Sequence, residues 1–225
     1  MDVQATRSDT AGQAVPTDAL LIQAMLPETS EASLAEMLRQ LGSAVTTESI
    51  SLHAAFCPAQ STFYAYLHFA ERTLLGKASA AALETSLRKQ WPQWQDLKVS
   101  RLERVFDAAG ASAKLAASCH YVVEMDPERS PDQDWMPALS EWYDTEHMPG
   151  LAKVAGCVRA SRYLNHDHGP LSLACYDLVT EETTNTAPWL AVRGTEWSSR
   201  MRPHFTNTRR TVFDLLTACS LATST

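Results

Sequence analysis

The sequence predicts an α+β fold of two tandem ferredoxin-like repeats, each running β-α-β-β-α-β and packed against the other within one chain. Three observations predict it. Apolar residues recur at strand or helix spacing in that order of elements, and the order occurs twice along the 225 residues. A stretch of small residues at 107–117, containing Gly110, separates the two runs and offers little to bury. The strands alternate apolar and polar positions, so a sheet with both helices on one face leaves its other face bare until a second sheet covers it.

The elements follow in order. Residues 1–18 are rich in Asp, Thr, Gln and Ala and read as a frayed tail without the apolar core of a secretory signal. The apolar run 19–26 stops at Pro27, which suits a strand. From Ser30, a potential N-cap, Leu34, Met37, Leu38 and Leu41 recur at helical spacing up to Gly42. Runs 49–57 and 62–70, separated by Pro58, carry Ile50, Phe63, Tyr64, Tyr66 and Phe69 and read as a hairpin. The Ala- and Leu-rich segment 78–91 is helical and ends at Pro92, and 97–106 alternates as a strand.

This first repeat spans 19–106. The second, 118–217, begins with a strand at 119–125 and a helix at 135–148. A hairpin follows, 157–164 with 171–179, joined by the polar turn 165–170. A helix at 188–201 and a strand at 208–216 complete it, with 218–225 left as a tail.

Composition bounds the function. With 45% hydrophobic and 20% charged residues the chain can bury a core, and no window is apolar enough to span a bilayer. The net charge of −7 gives no general attraction to nucleic acid or to an anionic membrane. Arg200, Arg202, Arg209 and Arg210 form the densest basic stretch, better suited to a solvated face or a small-anion site than to a nucleic-acid groove. Cys57, Cys119, Cys157, Cys175 and Cys219 contain no CxxC pair and read as reduced core thiols. A cytoplasmic protein with a small-molecule partner is the expectation, a pseudo-dimer within one chain that can still form a homodimer.

The string 141–149, Glu-Trp-Tyr-Asp-Thr-Glu-His-Met-Pro, is the densest in reactive side chains. Tyr143 and His147 stand four apart and share a helix face with Leu139, which turns that face toward the sheet. Pro149 disfavours helical geometry at Met148, so His147 is expected in the final turn, where the helix dipole favours an imidazolium. An imidazole there suits general acid or base work, and a phenol one turn away can donate to an oxyanion.

Trp142-Tyr143, then His147 and Pro149, followed by Leu151, Gly156 and a strand with Arg162 and Tyr163, resembles the helix signature of EthD-like proteins, a family of the dimeric α/β-barrel superfamily. The match covers about 119–216. The resemblance implies a barrel with a pocket between sheet and helices, in a superfamily of cofactor-free oxygenases, lyases, cyclases, isomerases and haem-binding enzymes. The residues point to an enzyme using acid/base chemistry of the lyase, isomerase or cofactor-free oxygenase kind on a small apolar or aromatic compound, with His147 and Tyr143 catalytic and Trp142 beside them; the alternative is a non-catalytic protein that binds a small molecule or haem. The first repeat lacks His and Tyr on its matching helix and so reads as chemically silent, although His53 and His68 lie on its strands.

Further candidates for substrate contact are His120 and Tyr176 on strands, whose register decides their face, and Arg162 of the family pattern. Trp197, eight residues from Trp189 on the last helix, and Arg202 and His204 around Pro203 complete the set. His166 and His168 form a His-x-His pair, but they sit in a Gly-Pro turn where polar residues are expected without a metal. No nucleotide loop, Cys-rich metal motif or Gly-x-Ser-x-Gly elbow is present, so no cofactor is the economical expectation, with haem carriage as the alternative.

Overall fold

The computed structural model describes residues 13–27, 30–45 and 49–216. Strands β1 (Val15–Met25), β2 (Ile50–Cys57), β3 (Thr62–Leu75) and β4 (Gln95–Ala109) alternate with helices α1 (Glu31–Val45) and α2 (Lys77–Gln90). Strands β5 (Cys119–Pro127), β6 (Cys157–Asn165), β7 (Ser172–Leu178) and β8 (Phe205–Leu216) form the second half. Its helices are α3 (Met136–Trp142), α4 (Met148–Ala152), α5 (Ala187–Arg193) and α6 (Glu196–Met201).

The eight strands close into one antiparallel barrel in the order β1-β3-β2-β8-β5-β7-β6-β4. Within it the first half reads β4-β1-β3-β2 and the second β8-β5-β7-β6, the same order with every number raised by four. Two seams join the halves: β4 against β6 along 102–109, and β2 against β8 at 54–56.

Three apolar clusters follow from period-two alternation. Outside the first half, the predicted stripe Leu34, Met37, Leu38 and Leu41 is buried against Ile22, Phe63, Leu97 and Val99. Outside the second half, Leu139, Trp142, Tyr143, Met148 and Leu151 pack on Tyr121, Ala160, Ala174 and Tyr176. The third cluster draws Leu21, Tyr64, Tyr66 and Leu102 from one half and Val122, Tyr163, Cys175 and Phe213 from the other, and so fills the barrel interior. Cys57, Cys119, Cys157 and Cys175 are free and buried, while Cys219 lies outside the described residues.

Several elements differ from the sequence expectation. β1 begins at Val15, inside the segment read as tail, and β4 runs on to Ala109, into the segment read as linker. Gly110 ends that strand by donating its N–H to Val158 O at 2.8 Å, and a Cβ there would run into the Cys157 carbonyl. Gly110→Ala is therefore expected to cost about 1–3 kcal/mol in a urea melt, since the obstacle is backbone and cannot rotate away. The single helix expected at 188–201 is two short ones, broken at Gly194, with the Thr195 side chain capping α6 through Ser198 N–H.

The helix expected to end at Met148 instead passes through Pro149. Residues 143–147 form a π-turn, closed by the Met148 N–H donating to Tyr143 O, and α4 then continues to Ala152. A proline ring inside an α-helix collides with the carbonyl four residues earlier, and the wider turn immediately before Pro149 relieves that conflict. His147 is thus in mid-helix, where the dipole argument for an imidazolium does not apply.

Candidate functional site

The π-turn directs Tyr143 and His147 toward the sheet. His147 stacks on Trp142 with ring centroids 4.2 Å apart and meets Tyr143 edge-on at 5.7 Å. β5 and β7 present Tyr121 and Tyr176, register partners whose rings stack at 6.0 Å, and Trp189 of α5 stands edge-on to Tyr176. The Tyr176 hydroxyl donates to Met148 Sδ at 2.9 Å. Between these side chains is a cavity of about 30 Å³, also lined by Leu151, Arg193, Arg202, Phe205 and Arg210.

Its polarity is one-sided. No carboxylate lines the cavity, and among the described residues Arg193, Arg202 and Arg210 have no ion-pair partner. Burial, reinforced by Arg193 and Arg202, pulls the His147 imidazole down to about 3, so it is neutral at physiological pH. Burial likewise raises the Tyr143 phenol, which stays protonated, against the opposing pull of Arg162. His147 Nδ1, Trp142 Nε1 and Trp189 Nε1 are buried without a hydrogen-bond partner. Buried polar atoms in that state call for a partner, and a cavity of this size holds one or two waters or a small polar headgroup.

The sequence-derived candidates divide by sheet face. Trp142, Tyr143, His147, Tyr176 and Arg202 come together at the cavity. Arg162 lies behind it, 1% exposed, with its guanidinium 4.6 Å from the Tyr143 ring centre and hydrogen bonds to Ser172, Asp144 and Ser140. Trp197 packs at the edge of the same apolar cluster without lining the cavity. His204 turns away, stacking on Trp135 at 3.4 Å and pairing with Glu128 at 2.7 Å.

His120 occupies the opposite face of β5, inside the barrel, and does not share a cavity with His147. There it joins His53 and His68 of the first half, so that half is not devoid of reactive side chains. Arg193 and Tyr121 were not singled out by the sequence, and Arg210 was named only within the basic stretch read as a solvated face or a small-anion site. Tyr121 was accessible to the alternation argument through its outward neighbours Val123 and Met125, whereas Arg193 depends on the break between α5 and α6.

No model of a known protein family and no curated protein sequence matches the chain. Solved structures do match it across nearly its whole length. A candidate monooxygenase from Fusobacterium nucleatum subsp. nucleatum superposes with a TM-score of 0.61 at 9% identity, covering 91% of this chain and 94% of that one. An anthrone oxidase-like protein gives 0.59 at 12% identity, with coverage of 91% and 94%. A chlorite dismutase from Candidatus Nitrospira defluvii, in complex with imidazole, gives 0.57 at 7% identity, with the same two shares covered. At these identities the likeness shows the fold alone, a closed α+β barrel of eight antiparallel strands.

Proposed function

We propose that the chain is an EthD-like member of the dimeric α/β-barrel superfamily, built from two tandem ferredoxin-like units, and that it acts on a small apolar or aromatic compound bearing an anionic group. One observation carries the proposal: a neutral, buried His147 with an unpartnered nitrogen shares a cavity with three arginines that have no ion pair among the described residues. In this reading Arg202, Arg193 and Arg210 hold the anionic head, Tyr143 donates a hydrogen bond, and Trp142 and Tyr176 shape the walls. His147 accepts a proton from the bound compound, the step common to lyase, isomerase and cofactor-free oxygenase chemistry. A bound anion offsets the charges of Arg193 and Arg202 and so lifts His147 toward the range in which a base works.

One observation favours a second reading, binding without turnover. A base held near 3 is weak, and the cavity is far below the ~300–1,000 Å³ typical of small-molecule pockets, so only a headgroup enters and the body of the ligand stays at the mouth. A macrocycle does not fit within about 30 Å³, so haem carriage would need a site other than the His147 cavity.

A thermal-shift comparison of small aromatic carboxylates and phenols with their neutral amides and methyl ethers tests the proposal. The anionic set is expected to raise Tm and the neutral set not to, with Arg202→Gln weakening the anions by about tenfold or more, the loss of one charge-assisted contact. Equal shifts for both sets would defeat it. With a ligand identified, turnover that is lost in His147→Gln separates enzyme from carrier.

A further inference from the structure

We propose that His53, His120 and Asp177 form a binding site for one divalent first-row transition-metal ion at the end of the barrel interior, on the opposite side of the sheet from the His147 cavity. The three ligands come from β2, β5 and β7, so both halves of the chain contribute. His120 and Asp177 are direct register partners, and His120 Nδ1 lies 2.7 Å from Asp177 Oδ1. His53 Nε2 approaches the same oxygen at 3.4 Å. The donor atoms of all three residues lie within 4.8 Å of one another. Ligands bonded at about 2.0–2.1 Å to a tetrahedral ion stand roughly 3.3–3.5 Å apart, so small side-chain shifts accommodate the ion.

The surroundings suit a metal. His120 Nε2 lies 3.1 Å from the Tyr66 hydroxyl. The Asp177 carboxylate can only accept, so without an ion the His120 Nδ1–H donates to it and Nε2 accepts from the Tyr66 hydroxyl. Binding an ion at Nδ1 moves the ring proton to Nε2, which then donates to the Tyr66 oxygen and fixes the ring, as the outer partners of metal-bound histidines do. Arg159, the nearby cation that would oppose a metal, has its guanidinium engaged by both oxygens of Asp107 at 2.7 and 2.9 Å. His53 is 30% exposed in its side chain and provides the route from solvent. A space of about 30 Å³ beside the cluster, bordered by His68, Ser161 and Tyr163, leaves room for water on an open coordination position. Two imidazoles with one carboxylate favour zinc, iron, cobalt or copper over calcium or magnesium.

The test is a Co²⁺ titration of the untagged, chelator-treated full chain, followed by visible absorption and by competition with Zn²⁺. The expected result is one Co²⁺ per chain, with d–d bands that Zn²⁺ abolishes. His53→Ala, at a partly exposed position outside the apolar core clusters, should weaken binding beyond the roughly 10–100-fold that loss of an outer partner costs, and Tyr66→Phe should fall within that range. Asp177→Asn should behave as His53→Ala does, while His168→Ala in the distant turn should bind as wild type. Absence of the bands at stoichiometric cobalt, or wild-type affinity in folded His53→Ala, overturns the proposal. Because the readout is the metal's own spectrum, its failure leaves the His147 proposal standing.

Discussion

Lowering the pH from 6.5 to about 4.5 is expected to remove roughly 2 kcal/mol of stability through His147 alone. In the unfolded chain the imidazole titrates near 6.5, while burial beside Arg193 and Arg202 holds it near 3 in the fold. Between those values the unfolded state binds a proton that the native state refuses. Stability therefore falls as the pH drops through 6.5 and continues to fall until the native imidazole titrates near 3. Burial also holds His68 down to about 4 and lowers His120, so these lose stability in the same window and the comparison with a His147 variant is what isolates His147. Urea melts at pH 7 and 4.5 on wild type and His147→Leu measure the effect, and the difference between the two pH dependences should match it. Parallel curves would show that His147 is not held neutral in the fold.

Arg101→Met is expected to be the most damaging change away from either cavity, at about 3–5 kcal/mol, because it strands a buried carboxylate. Arg101 and Asp167 are 4% and 3% exposed in their side chains and meet at 2.8 Å. Arg101 Nε and its backbone N–H both donate to Asp167 Oδ2, and Nη1 donates to the Leu75 and Gln13 carbonyls. One guanidinium thus ties β4, the end of β3 and the β6–β7 turn together across the longer seam. Asp167→Leu alone should cost a similar amount, since it strands the cation. The double variant should recover most of the loss, as apolar replacements of buried pairs do, and additive losses in urea melts would contradict this picture.

The elements of the fold were legible because most announce themselves locally. The stripe from Leu34 to Leu41, the stops at Pro27 and Pro92 and the alternation of 97–106 depend only on neighbours in sequence, and each corresponds to an observed element. The π-turn was not legible. Its one additional residue leaves no mark in the spacing of Tyr143 and His147, and Pro149 looks like a terminator until the wide turn before it is seen. The candidate cavity was half legible for a related reason. Tyr143, His147 and Tyr176 follow from helix and strand periods, but Arg193 and Arg210 reach it from elements whose placement depends on tertiary packing. His120 shows the limit of period-two reasoning, because alternation says that successive residues oppose one another without saying which face looks outward. The role of Asp167 was likewise hidden, since its partner lies 66 residues away.

Closure of the strand ring also bears on how such a chain can be divided. Cut between β4 and β5, each half would expose two strand edges, β2 with β4 or β6 with β8, along with the apolar wall that now faces its counterpart. A severed half would be driven to recruit a second copy of itself. A self-paired second half would carry two His147 cavities, whereas neither kind of self-pair could assemble His53 with His120 and Asp177. Joining the halves in one polypeptide thus permits an asymmetry that a ring of identical subunits cannot have, with each half free to specialise while the other preserves the closure.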